Sequence, residues 1–203
     1  MNDLRLILAS ASIRRRELFS MIGLKYEVIP SLADEDAPLL PPGEFVEQLA
    51  FFKANSVFEQ QKDKGDCCVV GCDTIVEIDG KIIGKPRDEA DACRILRLLS
   101  GRTHTVYTGI CVMRGNITDI RHDTTRVTFS KLTDAEIKAY VATGEPMDKA
   151  GAYGIQGVGG VLVCGVEGCY FTVVGLPLPM LYDMLKKAGI DVLLNFEPKM
   201  RYK

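Results

Sequence analysis

The sequence predicts a mixed α/β domain, and three observations predict it. A short apolar strand over residues 4–9 runs through Ser10-Ala11-Ser12 into a helix opening near Ile13. The run Val69-Val70-Gly71-Cys72-Asp73 reads as a buried strand, followed by a bend, an Asp79-Gly80 hairpin and a return strand towards Lys85. Helical patterns over residues 44–62 and 88–99 each carry one apolar face. With no internal repeat and no clear linker, residues 1–203 read as a single domain of two lobes around a cleft, with 188–203 as a C-terminal extension.

Composition narrows the function classes. Of the 203 residues 47% are apolar, enough to bury a sizeable core. A formal charge of -2 gives no broad basic surface, so a nucleic-acid partner is not expected. No apolar run approaches the roughly 20 residues needed to span a bilayer. Met1-Asn2-Asp3-Leu4-Arg5 opens straight into a strand pattern without a signal-peptide layout, and the expected location is cytoplasmic. The cysteines are odd in number and lack any Cys-x-x-Cys, and several sit inside apolar runs. They read as small core residues in a reducing compartment. Only His104 and His122 are available to zinc, and neither has ligand spacing.

The first strand, serine-lined loop and helix N-terminus make a natural anion cradle, with Ser12 as N-cap and free N–H groups facing a phosphate. Arg14, Arg15 and Arg16 add charge but point in different directions around the helix. The plainer alternative is a capped surface helix with solvated arginines. Residues 25–29 form a second strand. Residues 30–43 form a proline-rich loop whose Asp34-Glu35-Asp36 is either solvated or a source of carboxylate oxygen for Mg²⁺ or Mn²⁺.

In the helix over 44–62, Phe45, Val46, Leu49, Ala50, Ala54 and Val57 share one face, and Lys53 falls in the middle of it. A lysine there either snorkels out or meets an anion. Asp73 then stands at a strand end, where open α/β sheets put their ligand crevice; equally, it caps a turn. Lys85 is either a crevice lysine or a solvated one. Asp88 caps the helix to about Leu99, residues 103–113 and 117–129 form a long hairpin, and Thr133-Asp134-Ala135-Glu136 is a capping box. Residues 144–160 are rich in glycine and carry Asp148, Lys149 and Gln156, the polar types a nucleotide site uses; the alternative is a turn-rich connection. Residues 161–166 and 169–174 read as a further hairpin across Glu167-Gly168. An amphipathic helix follows Gly175-Leu176-Pro177, and Val192-Leu193-Leu194 is a candidate packing segment.

Together these stretches resemble the Maf family of nucleoside triphosphate pyrophosphatases. The resemblance rests on Leu8-Ala9-Ser10-Ala11-Ser12 with Arg14-Arg15, on Leu49-Ala50 to Lys53-Ala54, and on Gly71-Cys72-Asp73-Thr74 and Lys85-Pro86. It continues in Leu99-Ser100-Gly101, Gly144-Glu145-Pro146, Asp148-Lys149-Ala150-Gly151, Tyr153-Gly154-Ile155-Gln156-Gly157 and Val174-Gly175-Leu176-Pro177. It implies an elongated, twisted mixed sheet flanked by helices, with a central cleft. It implies cleavage of a nucleoside triphosphate to the monophosphate and pyrophosphate with a divalent cation, Mg²⁺, Mn²⁺ or Co²⁺. The branch with Tyr-Gly-Ile-Gln-Gly acts on dTTP and UTP. The resemblance further implies Asp73 as proton acceptor, Arg14, Thr74 and Gln156 as specificity positions, and Ser10, Glu35, Lys53 and Lys85 as cleft positions. It also implies a homodimer. Three positions depart from the pattern: Ile13 replaces a proline, Phe52 a glutamate, and Cys72 a smaller residue.

The chemistry agrees with the resemblance. A triphosphate carries about four negative charges and calls for convergent cations and N–H donors. Arg14, Lys53, Lys85 and the loop of Ser10 and Ser12 supply them. Glu35 and Asp73 are the metal-ligand candidates, and Asp73 is the base or orients the attacking water. Gln156 offers an acceptor and donors suited to thymine or uracil. The expected role is removal of non-standard nucleotides. The runner-up is a non-catalytic nucleotide-binding regulator of cell division.

Overall fold

A computed structural model describes residues 4–33 and 40–194. Among the described residues the strands form one seven-stranded mixed sheet. In chain order they are β1 (Arg5–Leu8), β2 (Glu27–Val28), β3 (Cys67–Ile78), β4 (Lys81–Ile83), β5 (Thr103–Arg114), β6 (Ile117–Phe129) and β7 (Val163–Glu167). Their spatial order is β2-β1-β3-β5-β6-β7, with β4 paired to β3. The helices are α1 (Ile13–Met21), α2 (Pro42–Phe58), α3 (Glu89–Leu99), α4 (Asp134–Val141), α5 (Tyr170–Val174) and α6 (Leu178–Lys187). The expected α/β class is therefore the observed one.

The chain divides into two compact units. The first comprises Met1–Asp73, Thr108–Asp123 and Gly175–Lys203. Here β1 runs parallel to β2 and to β3, with Leu8 opposite Val28 on one side and Val70 on the other. Parallel neighbours need crossovers, and α1 and α2 provide them. The core packs Ile7 and Ala9 of the β1 segment and Cys67 and Val69 of β3 against Ala50, Ala54, Val57 and Phe58 of α2. Strand β3 is buried along nearly its whole length, as its apolar run over residues 67–72 and the pair Ile75-Val76 require.

The second unit comprises Thr74–Tyr107 and Thr124–Val174. Its core gathers Ile95, Leu96 and Leu99 of α3, Ile137, Tyr140 and Val141 of α4, and Phe129, Tyr153 and Leu162. Strands β3 and β4 meet across Asp79 (φ 55°) and Gly80 (φ 72°), the two left-handed residues that an Asp-Gly hairpin turn demands. The cap of α3 by Asp88 and the capping box of α4 by Thr133 and Glu136 are both present.

Two expectations are corrected. Strand β3 does not end at Asp73; the β-branched run Thr74-Ile75-Val76 carries it on to Ile78, so Asp73 lies within a strand and caps no turn. Nor do residues 169–174 form a strand. Residues 158–162 are a 3₁₀ turn, β7 pairs with β6, and Tyr170–Val174 is helical. The Cys169 carbonyl accepts the Thr125 hydroxyl at 3.0 Å and the Thr172 N–H at 3.1 Å, which closes a helical turn and withdraws that carbonyl from any ladder. In the tail Ile190 and Val192 are buried, while Leu193 and Leu194 are exposed.

Candidate active site

The first unit assembles a cradle and an ion pair. After β1 the chain turns through Ser10, Ala11 and Ser12 into α1. Ser10 is buried, and its hydroxyl accepts the Ser12 N–H at 3.2 Å. Ser12 caps α1 by accepting the Arg15 N–H at 3.4 Å. The helix keeps this cap with Ile13 in the first position. No acidic side chain lies in its own first turn. Arg15 ties the loop down: its Nε donates to the Gly175 carbonyl at 2.9 Å, and its Nη1 lies 3.5 Å from the Ser10 hydroxyl. Ala9 donates to the Val70 carbonyl at 2.8 Å, which sets this loop alongside the stretch of β3 that leads to Asp73.

Lys53 resolves its dilemma by meeting an anion. Its Nζ donates to Asp73 Oδ1 at 2.6 Å, with the two side chains 13% and 11% exposed. A pair so far from water is a costly arrangement unless its geometry is good and something holds it in place. The holding device is a close approach of helix to sheet. A Cβ on Gly71 of β3 would stand 2.4 Å from the Ala50 carbonyl oxygen, and one on Gly109 of β5 would stand 2.3 Å from that of Val46. Helix α2 thus rests on bare backbone at two points, and Lys53 is carried down to the level of Asp73. Between Gly71 and Asp73 lies Cys72. Burial pushes its thiol up, against the opposing pull of Arg15 and Lys53.

Asp73 offers a hard oxygen ligand. Among the described residues no group of three or more His, Cys, Asp or Glu could hold a metal by itself. The donor set fits a cation that arrives on a triphosphate, because Mg²⁺ takes most of its oxygens from phosphates and water and only one or two from carboxylates. Glu35, the other candidate ligand, lies outside the described residues.

The second unit holds Thr74, Lys85 and Gln156. Thr74 is half-buried and Lys85 and Gln156 are exposed. The Gly151 N–H donates to the Gly84 carbonyl at 3.1 Å, which joins the segment bearing Lys85 to the glycine-rich stretch. That stretch is organised around Glu145, a residue whose role the residue pattern did not disclose. Its Oε2 accepts the Val158 N–H at 2.8 Å; its Oε1 accepts the Gly159 N–H at 3.0 Å and the Tyr140 hydroxyl at 2.8 Å. Burial raises its carboxyl, but these donors and Lys149 outweigh that, and the group ionises below its usual range. Arg15 was equally hidden, as one of three arginines in a row. The signal for Glu145 was an acid ahead of glycines that must leave room for something.

A family model described as Maf-like protein matches residues 5–188. The chain belongs to the Maf family. Within curated relatives of this Maf protein, the dTTP/UTP pyrophosphatase of Moorella thermoacetica is 51% identical, over 93% of this chain and 97% of that one. The dTTP/UTP pyrophosphatase of Pelotomaculum thermopropionicum is 47% identical, over 93% and 98%. Among solved structures, the Ham1 protein of Staphylococcus aureus covers 62% of this chain and 71% of its own with a TM-score of 0.47 and 15% identity, a partial likeness without functional weight.

Proposed function

We propose that this Maf protein is a nucleoside triphosphate pyrophosphatase that cleaves dTTP and UTP to the nucleoside monophosphate and pyrophosphate. The observation that supports it most is the Lys53–Asp73 pair at 2.6 Å, found in a chain about half identical to dTTP/UTP pyrophosphatases along nearly all its length.

A carboxylate held by an ammonium is a restrained base. An arriving polyphosphate competes for Lys53, for the loop of Ser10 and Ser12, and for Arg14. As the ammonium turns to phosphate, Asp73 regains lone pairs for a water. That water attacks the α-phosphorus, Asp73 takes its proton, and the bond from the α-phosphorus to the bridging oxygen breaks. Pyrophosphate leaves with that oxygen. A divalent cation held by Asp73, Glu35 and the phosphates would supply charge neutralisation in this step. Lys85 is assigned to phosphate, and Thr74, Arg14 and Gln156 to selection of the nucleotide. Gln156 can donate to a carbonyl and accept from the N3–H of thymine or uracil. No described helix is long and apolar enough to cross a membrane, in keeping with the proposed cytoplasmic site of action. A homodimer and the absence of nucleic-acid partners belong to the same proposal.

The test is a panel of nucleoside triphosphates with Mg²⁺, Mn²⁺, Co²⁺ or chelator, followed by product identification. Pyrophosphate and a pyrimidine monophosphate are expected; orthophosphate as the first product would overturn the reading. Asp73→Asn should lower turnover by about 10²- to 10⁴-fold with its circular dichroism unchanged. A variant as fast as the parent removes Asp73 from the chemistry.

A further inference from the structure

Gln156 sits at the corner of a turn whose two ends are tied to the same pair of side chains. The Gly157 N–H donates to the Gly154 carbonyl at 3.3 Å, closing a four-residue turn with Ile155 and Gln156 in the middle. Ile155 packs against the core of the second unit, and Gln156 is exposed. Before the turn, the Gly154 N–H donates to the Tyr140 hydroxyl oxygen at 3.1 Å. After it, the N–H groups of Val158 and Gly159 donate to the two oxygens of Glu145. Tyr140 closes the circuit by donating its own proton to Glu145 at 2.8 Å.

The fit around this carboxylate is tight. A Cβ on Gly157 would stand 2.3 Å from Glu145 Oε2, and one on Gly159 would stand 2.4 Å from the Tyr140 hydroxyl oxygen. The Lys149 ammonium donates to the Glu145 backbone carbonyl at 2.7 Å, so the acid is held at its main chain as well. The space left open at Gly157 and Gly159 is thus occupied by an internal carboxylate and phenol.

From this geometry we infer that Glu145 and Tyr140 are positioning residues for base selection, fixing the turn that presents Gln156. The inference rests on the proposed role of Gln156 in reading a pyrimidine. It adds that selectivity depends on two side chains that need touch no substrate. Three donors on one half-buried acid leave Gln156 few alternative placements, and discrimination between thymine and cytosine needs a donor and an acceptor each held in place.

The experiment compares the wild-type protein with Glu145→Ala, Glu145→Gln and Tyr140→Phe. It measures kcat and KM for dTTP, UTP and dCTP, and amide hydrogen exchange over residues 154–159. In Glu145→Ala the ratio of kcat/KM for dTTP over dCTP should fall about tenfold or more. The loss should lie mainly in KM, with kcat for dTTP within about threefold of the parent, because the water and its base are untouched. Exchange at Val158 and Gly159 should speed up in the same variant. Glu145→Gln keeps one acceptor oxygen and should restore part of the ratio. Tyr140→Phe keeps the buried ring, and it decides the matter if Glu145→Ala does not fold; its ratio should fall by a smaller factor. An unchanged ratio in folded variants, or an equal loss of kcat for every nucleotide, overturns the inference and leaves the pyrophosphatase reading standing. A wild-type protein that cleaves no pyrimidine triphosphate overturns that reading itself.

Discussion

Both units are built around a carboxylate, and the two carboxylates are held in opposite ways. Asp73 faces a flexible side chain: a single ammonium on a four-carbon stem, itself 13% exposed. Glu145 faces the main chain: two backbone N–H groups and a phenol, each fixed by the fold. A partner on a stem can swing to a phosphate and release its acid, whereas backbone donors cannot leave without unfolding their turn. The first arrangement suits a group that must change partners during a reaction. The second suits a group that must not.

The sharpest way to break the contrast is to remove the movable partner. Lys53→Met strands Asp73 in a nearly dry position and should destabilise the protein by about 3–5 kcal/mol in urea unfolding. The double variant Lys53→Met/Asp73→Asn should recover much of that loss, because no lone buried charge is left. Equal instability of single and double variants would mean that packing, not the charge pair, sets the cost.

A smaller effect belongs to the second unit and is read by pH. His104 is 2% exposed, its Nε2 lies 2.9 Å from the Tyr153 hydroxyl, and burial lowers its pKa to about 4 from the model-peptide value of 6.5. Below 6.5 the unfolded chain takes a proton that the folded one refuses until about 4. The stability present above the unfolded value is therefore lost as pH falls through that window, on the order of 3 kcal/mol. His104→Phe should flatten this acid limb, measured as unfolding free energy between the two pH values; parallel curves for variant and parent would assign the limb to other groups.

The smallest effect tests how α2 is seated. Gly71→Ala puts a methyl against the helix backbone and should cost about 1–3 kcal/mol in thermal unfolding, with a parallel fall in turnover as Lys53 rises from Asp73. Gly84→Ala, whose methyl meets nothing within 4 Å, should stay within about 0.5 kcal/mol of the parent. If both alanines behave alike, the close approach at Gly71 is not what fixes the pair.

Local signals in the sequence were reliable where the physics is local. The Asp79-Gly80 turn, the Ser12 and Asp88 caps and the Thr133–Glu136 box each depend on residues within a few positions of one another. The lysine on an apolar helix face was also legible, because burying a charge demands a partner whatever the fold. Its identity was not, since Asp73 comes from a strand twenty residues on. The strand over residues 169–174 failed for a similar reason. Its β-branched and aromatic residues favour extension, but Thr125, far away in the chain, claims the Cys169 carbonyl. The role of Glu145 was not legible, because its partners at residues 140, 158 and 159 meet only when the glycine-rich stretch folds back.

The shut-in sulfur of Cys72 bears on how this protein survives its surroundings. A thiol reacts with peroxide or alkylating agents only as its thiolate, and burial suppresses that form here despite two neighbouring cations. The ion pair therefore has an oxidisable atom for a neighbour without a redox liability. Thiol-directed dyes should instead find the exposed Cys164, a native handle for labelling the protein.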